Sequence, residues 1–140
     1  MFFMVSKKVQ AVIYDLKKGE PYFLILHRVL HWRGWELHKG TIENNDSYKK
    51  TLRREIFEET CLRNVKIVRP LGVSFYFNRR KSKVVEVFLV KASMRQRINI
   101  SRNPCKEHDG YLWADRETAL KKLTWPDARK VIRGLKPKPL

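Results

Sequence analysis

Acidic residues are scarce in this chain of 140: 14 Asp and Glu stand against 31 Lys and Arg, a formal net charge of +17. Such a surplus attracts polyanions, whether nucleic acid, nucleotides or other phosphorylated ligands. It also suits a heavily solvated surface of the kind found in proteins built for high temperature. Long apolar runs are missing. The longest, Phe23 to Leu26 and Met1 to Val5, fall far short of the roughly 20 residues that a membrane helix needs, and neither forms the h-region of a secretory signal. No membrane partner is therefore expected. Cysteine is almost absent. Cys61 and Cys105 make no C-x-x-C pair, which points to a reduced, cytoplasmic protein in which each is first a small apolar residue. Repeats and low-complexity blocks are lacking too.

What remains is the material of one domain, 1–140, at a length that buries about 68–70% of the unfolded surface without disulfide or structural metal. Two β-branched and aromatic runs, KVQAVIYDL (8–16) and YFLILHRV (22–29), flank the turn signature KKGEP and predict a hairpin. A helix is expected from about Ser47 to Thr60, with Asn45 or Asp46 placed to cap it. VKIVRPLGVSFYFNRR and KVVEVFLVKAS read as extended segments joined by a basic turn near Lys81 and Ser82. After a polar loop (95–106), GYLWA reads as a short strand. Asp115 caps RETALKKL, and Pro126 opens a last helix that ends near Gly134. The first few residues and a tail from about 136 to 140 read as loose ends. The sum is an α+β domain, a mixed sheet with two or three helices, with its strand order open.

Against the basic background, Glu55, Glu58 and Glu59 fall within five positions of one another. On a helix they span an arc of roughly 100°, beside Leu52 and Ile56, so they border the buried face. Carboxylates placed there repel one another and lose solvation, which drives proton uptake unless a counter-charge is supplied. A hard divalent cation supplies it with oxygen ligands and water. Pairing with Lys49, Lys50, Arg53 or Arg54 at helical spacings is the simpler alternative.

The stretch GTIENNDSYKKTLRREIFEETCL (40–62) resembles the Nudix box, G-x5-E-x7-R-E-U-x-E-E-x-G-U with U apolar. Gly40, Arg54, Glu55, Ile56, Glu58, Glu59 and Leu62 match; Asp46 stands in place of Glu and Cys61 in place of Gly. The resemblance implies a Nudix-type α/β/α sandwich around a central mixed β-sheet. It also implies hydrolysis of a nucleoside diphosphate linked to another moiety, with Mg²⁺ or Mn²⁺ as cofactor. By the same resemblance Glu58 and Glu59 are metal ligands, and Glu55 is a further ligand or the group that activates water. The carbonyl of Gly40 joins the metal shell, and Arg54 holds a neighbouring carboxylate. Asp46 keeps the carboxylate one methylene shorter. Cys61 is the more awkward departure, because a left-handed residue after a helix costs a side chain about 1–2 kcal/mol.

The flanks resemble one branch of that family. WELHKG (35–40) looks like the W-x-x-P-K-G motif of diadenosine tetraphosphate hydrolases and RNA pyrophosphohydrolases, with His38 in place of Pro. KEHDGYLWADRETALKKL is similar to the E-H-x-x-Y-x-W segment of the diadenosine tetraphosphate hydrolases, and implies that Glu107 is a metal ligand or general base. Candidate substrate contacts are Lys39 and His38, Tyr76 as a base-stacking ring, and Arg79, Lys81 and Lys83 as phosphate grips. The substrate expected is diadenosine tetraphosphate (Ap4A) or a similar dinucleoside polyphosphate, cut asymmetrically by water. Alternatives are an RNA 5′ pyrophosphohydrolase, a nucleoside triphosphate pyrophosphatase, and a Nudix-fold module that binds RNA or nucleotide without turnover. Oligomeric state is not legible in the sequence.

Overall fold

A computed structural model of the chain describes residues 4–43, 46–78 and 81–136, without the side chains of 4–6, 75–78 and 81. The predicted hairpin forms from β1 (Met4–Lys17) and β2 (Glu20–Arg28), turning at Lys18 and Gly19. Gly19 takes φ 78°, a left-handed conformation that glycine adopts without strain. Two short strands follow, β3 (Gly34–Glu36) and β4 (His38–Thr41), and then helix α1 (Tyr48–Thr60). The extended segments are β5 (Lys66–Asn78) and β6 (Lys81–Lys91), and β7 is His108–Asp115. Helices α2 (Arg116–Lys122) and α3 (Pro126–Gly134) complete the chain; the Asp115 side chain caps α2.

The seven strands form one mixed sheet with the path β3-β2-β1-β6-β5, while β4 pairs with β1 and β7 with β2. Strand β1 is the spine. Its middle, Lys8 to Ala11, pairs antiparallel with β4, its end, Tyr14 to Lys17, antiparallel with β2, and Met4 to Tyr14 run parallel to β6. Strict alternation along β1 sends Val9, Ala11 and Ile13 to one face and Val12 and Tyr14 to the other. The first face packs under α1 through Leu52 and Ile56, joined by Leu24, Leu26, Phe88 and Val90. The second packs under α2 and α3 through Ala119, Leu123, Ala128 and Ile132, joined by Phe23, Ile25, Val87 and Leu89. Two cores on opposite faces of one sheet make the α/β/α sandwich.

The sequence offered no signal for β3 and β4. They are three and four residues long, too short for an alternating pattern, and exist because β1 and β2 present partners for them. The tail expected at 136–140 lies almost wholly outside the described residues.

Candidate active site

Helix α1 buries Thr51, Leu52, Ile56 and Thr60, and this fixes the direction in which its glutamates point. Its N-cap is Ser47, whose Oγ accepts from the Lys50 amide at 3.2 Å. The predicted cap Asp46 is used differently. Arg54 Nη1 donates to Asp46 Oδ2 at 2.9 Å, so the shorter carboxylate ties the loop before α1 to the helix. Asn45, the other candidate cap, lies outside the described residues. At the far end Cys61 adopts φ 65°, ψ 12°, with its amide donating to the Phe57 carbonyl at 2.8 Å. The left-handed turn is kept although the residue carries a Cβ.

The three glutamates sit at graded depth. Glu59 is buried, Glu55 half-buried, and the Glu58 side chain 54% exposed. Burial, followed by repulsion from Glu59 and Glu58, holds the Glu55 carboxyl above the usual carboxylate range; His38 and Arg54 only partly oppose this. Arg54 reaches 3.8 Å from Glu55 and 3.9 Å from Glu58. Glu59 Oε2 lies 2.8 Å from Nε2 of His38 on β4, at a separation typical of a hydrogen bond. Both atoms are buried and neither completes a hydrogen bond of good geometry, so the two side chains are in close contact. Burial disfavours imidazolium, but the Glu59 carboxylate outweighs it and raises the His38 pKa.

Gly40, two residues along β4, lies directly against Glu55: a Cβ there would fall 2.5 Å from Glu55 Cγ and 2.9 Å from its Cβ. Only glycine leaves this strand room beside the helix.

A basic wall is drawn from three strands: Lys8 on β1, Lys39 on β4 and Lys83 on β6. Lys8 on β1 donates from Nζ to Thr41 Oγ1 at 2.6 Å, across the register that pairs the two residues. Burial and then Lys83 push its pKa down, whereas Glu107 and Glu55 pull it up and Arg28 lowers it again. Lys8 thus feels both acidic and basic members of the site. Much of Lys39 is open to solvent, yet partial desolvation of its ammonium, with Lys83, Lys8 and Arg28 nearby, lowers its pKa against the pull of Glu36. Behind the wall is a buried brace. Arg28 Nη1 donates to Glu36 Oε2 at 3.1 Å, and His108 Nε2 bonds the same oxygen at 2.7 Å. Glu107 sits at the edge of this brace, 3.8 Å from Arg28 Nη1, and its carbonyl accepts from the Val29 amide at 2.8 Å.

The expected residues therefore divide. Gly40, Arg54, Glu55, Glu58 and Glu59 lie together, and Lys39, Lys83 and Glu107 are linked to them through Lys8. His38 is corrected: with 1% exposure it is too deep to touch a substrate, because its ring faces α1 rather than solvent. Arg79 and the side chains of Tyr76 and Lys81 lie outside what is described. Sequence reading missed Lys8, Glu36 and His108. A lone Lys in a strand carries no motif, and only the β1–β4 register brings it here.

Among the described residues, no three His, Cys, Asp or Glu side chains are gathered to hold a metal as they stand. Each glutamate instead leans toward Arg54 or His38. The donor chemistry nevertheless fits a hard divalent ion. Three carboxylates share one helix edge, one of them has a raised proton affinity, and a buried Glu59 oxygen lacks an aligned hydrogen bond.

A sandwich of this topology, with a glutamate-rich helix laid against a glycine strand, defines a class of pyrophosphate-bond hydrolases. The chain belongs to it: the NUDIX domain family matches residues 6–135. Among solved structures, the Caenorhabditis elegans Ap4A hydrolase binary complex superposes with TM-score 0.77 at 23% identity, covering 91% of this chain and 93% of that one. A MutT protein from Methanosarcina mazei Go1 gives 0.72 at 24% identity, covering 95% and 94%. The NUDIX domain of Shewanella oneidensis NrtR, complexed with ADP ribose, gives 0.74 at 18% identity, covering 94% and 86%. At these identities the likeness is one of fold. No curated protein sequence matches the chain.

Proposed function

We propose that this Nudix protein is a metal-dependent hydrolase of dinucleoside polyphosphates, with Ap4A as the representative substrate, cut asymmetrically by water attack on phosphorus. The observation that carries the reading is the nearness of opposite charges: Lys8 feels Glu55 and Glu107 together with Lys83 and Arg28, and Lys39 feels Lys83, Lys8 and Arg28. A linear polyphosphate needs basic groups for its oxygens beside carboxylates for the metal.

Glu55, Glu58 and Glu59, with the Gly40 carbonyl and Glu107, are the groups that would hold Mg²⁺ or Mn²⁺. Such an ion supplies a more acidic bound water and neutralises charge on phosphate oxygens. The chain's own contributions are separable from that chemistry. Glu55, half-buried against Gly40, is either a further ligand or the group that takes a proton from the attacking water. Arg54 keeps Asp46 and the two outer glutamates in register. Lys8, Lys39 and Lys83 bind phosphate oxygens and favour an extended anionic chain. Tyr76, with Arg79 and Lys81 beyond it, remains our candidate for gripping the base and the distal phosphates.

The net charge of +17 favours a second reading, in which 5′-triphosphorylated RNA is the substrate. One panel decides: dinucleoside polyphosphates, triphosphorylated RNA and nucleoside triphosphates, each with Mg²⁺ and with Mn²⁺, in water labelled with ¹⁸O. Ap4A yielding ATP and AMP, with one label incorporated, is the expected result. Turnover confined to RNA ends would replace the first reading with the second. Salt-sensitive RNA binding without turnover of anything, unchanged in Glu58→Ala, would make the chain a binding module.

A further inference from the structure

His38 stands where the related motif has proline, and the substitution puts an imidazole into a fully buried position. A buried polar ring is costly unless something nearby answers it. The group set against it is Glu59 Oε2, 2.8 Å from Nε2, a contact in which neither atom has another hydrogen-bond partner. Among the described residues, no other basic side chain lies within ion-pair distance of that carboxylate, since Arg54 pairs with Asp46, Glu55 and Glu58. The anchor is also stiff. Strand β4 is clamped to the sheet spine by pairing of His38 with Ala11 and of Gly40 with Val9.

We infer that His38 is a positioning residue for metal binding: its imidazole holds Glu59 by Oε2 and thereby fixes the direction of the other carboxylate oxygen. This rests on the proposed role of Glu59 as a ligand. The physical basis is general, because partners that fix a ligating carboxylate commonly set metal affinity by about 10–100-fold. A helix alone does not fix a glutamate, whose three side-chain torsions leave its carboxylate free to swing. The imidazole removes that freedom at the deepest of the three carboxylates. His38 touches neither substrate nor reacting atoms, so its effect is confined to the ion.

The test is Mn²⁺ affinity of the full chain without substrate, read from the free-ion signal by electron paramagnetic resonance. Glu59→Gln is expected to weaken Mn²⁺ binding. His38→Ala is expected to weaken it about 10–100-fold, His38→Gln to restore part of the loss through its amide N–H, and His38→Ala to add nothing in a Glu59→Gln background. That non-additivity is a readout that a purely structural role for His38 would not produce. Should His38→Ala fail to fold, His38→Leu, which fills the space but cannot bind a carboxylate, is measured and read in the same way. Equal or tighter Mn²⁺ binding in the His38 variants, or an equal loss with and without Glu59, overturns the inference while leaving Glu59 a ligand. If Glu59→Gln itself leaves Mn²⁺ binding unchanged, the metal assignment fails and this inference fails with it.

Discussion

Gly40 and Glu55 are in contact across the join of β4 and α1: a Cβ on residue 40 would lie 2.5 Å from Glu55 Cγ. The residue has no positive φ, so the demand for glycine here is spatial. Gly40→Ala must push either the strand or the glutamate, and α1 resists because Leu52 and Ile56 are fully buried beside it. We expect Glu55 to move by about the length of one bond. Misplacement on that scale costs about 100-fold in turnover. Steady-state kinetics on Ap4A, with circular dichroism to show an intact fold, would check it; a fall of less than threefold contradicts the assignment.

Lys8 is expected to act in binding rather than in the chemical step. Its ammonium is already held by Thr41 Oγ1 and lies among Lys83, Glu107, Glu55 and Arg28. A charge-assisted hydrogen bond to phosphate is worth about 1.5–3 kcal/mol, or roughly 10–100-fold in affinity. Lys8→Met should therefore raise KM by about that factor with kcat within about threefold. A mainly kcat effect would instead place Lys8 at the leaving group.

Cys61 bears a left-handed conformation, φ 65°, at the end of α1, where the family pattern has glycine. Releasing the strain of about 1–2 kcal/mol is partly offset by the extra freedom that glycine gives the unfolded chain. Cys61→Gly should stabilise the protein by about 0.5–1 kcal/mol, a rise of roughly 2–4 °C in Tm. Thermal unfolding under reducing conditions measures it, and a lower Tm would mean that the Cys61 side chain contributes more packing than its backbone costs.

How much of this was written in the chain depends on the range of the interaction concerned. Helix α1 and the place of its glutamates along the buried face follow from local spacing, since Leu52 and Ile56 set that face and the carboxylates flank it; that Glu59 alone is buried follows from β4 packing against it. The β1–β2 hairpin is equally local. The parallel pairing of β1 with β6 joins residues more than seventy positions apart, such as Val9 and Glu86, and no pattern within either strand announces it. Lys8 enters the site through another non-local pairing, that of β1 with β4, which sets it opposite Thr41. His38 shows a different limit: its departure from the motif was visible, but its direction is decided by the face of β4 that meets α1. A strand of four residues gives alternation too little length to reveal that face.

Glu36 provides a test by pH. Burial alone would raise its pKa, but the hydrogen bond from His108, together with the charge and hydrogen bond of Arg28, takes it below the ordinary 4.5. The folded state then binds fewer protons than the unfolded state as the pH drops, so the contribution of Glu36 is complete above about pH 4.5 and is lost as pH falls through the lowered folded value. Glu36→Gln keeps the shape but leaves Arg28 without its buried carboxylate, at a cost of roughly 3 kcal/mol near neutral pH. Urea unfolding of wild type and variant across the acid range should show this gap closing below pH 4.5, with the wild-type curve falling toward the flatter variant. A gap that is constant with pH would mean that Glu36 stabilises the brace by packing and not by its charge. Because Glu107 borders the same Arg28 at 3.8 Å, loss of the brace should also lower turnover in Glu36→Gln at pH 7, where the variant is still folded.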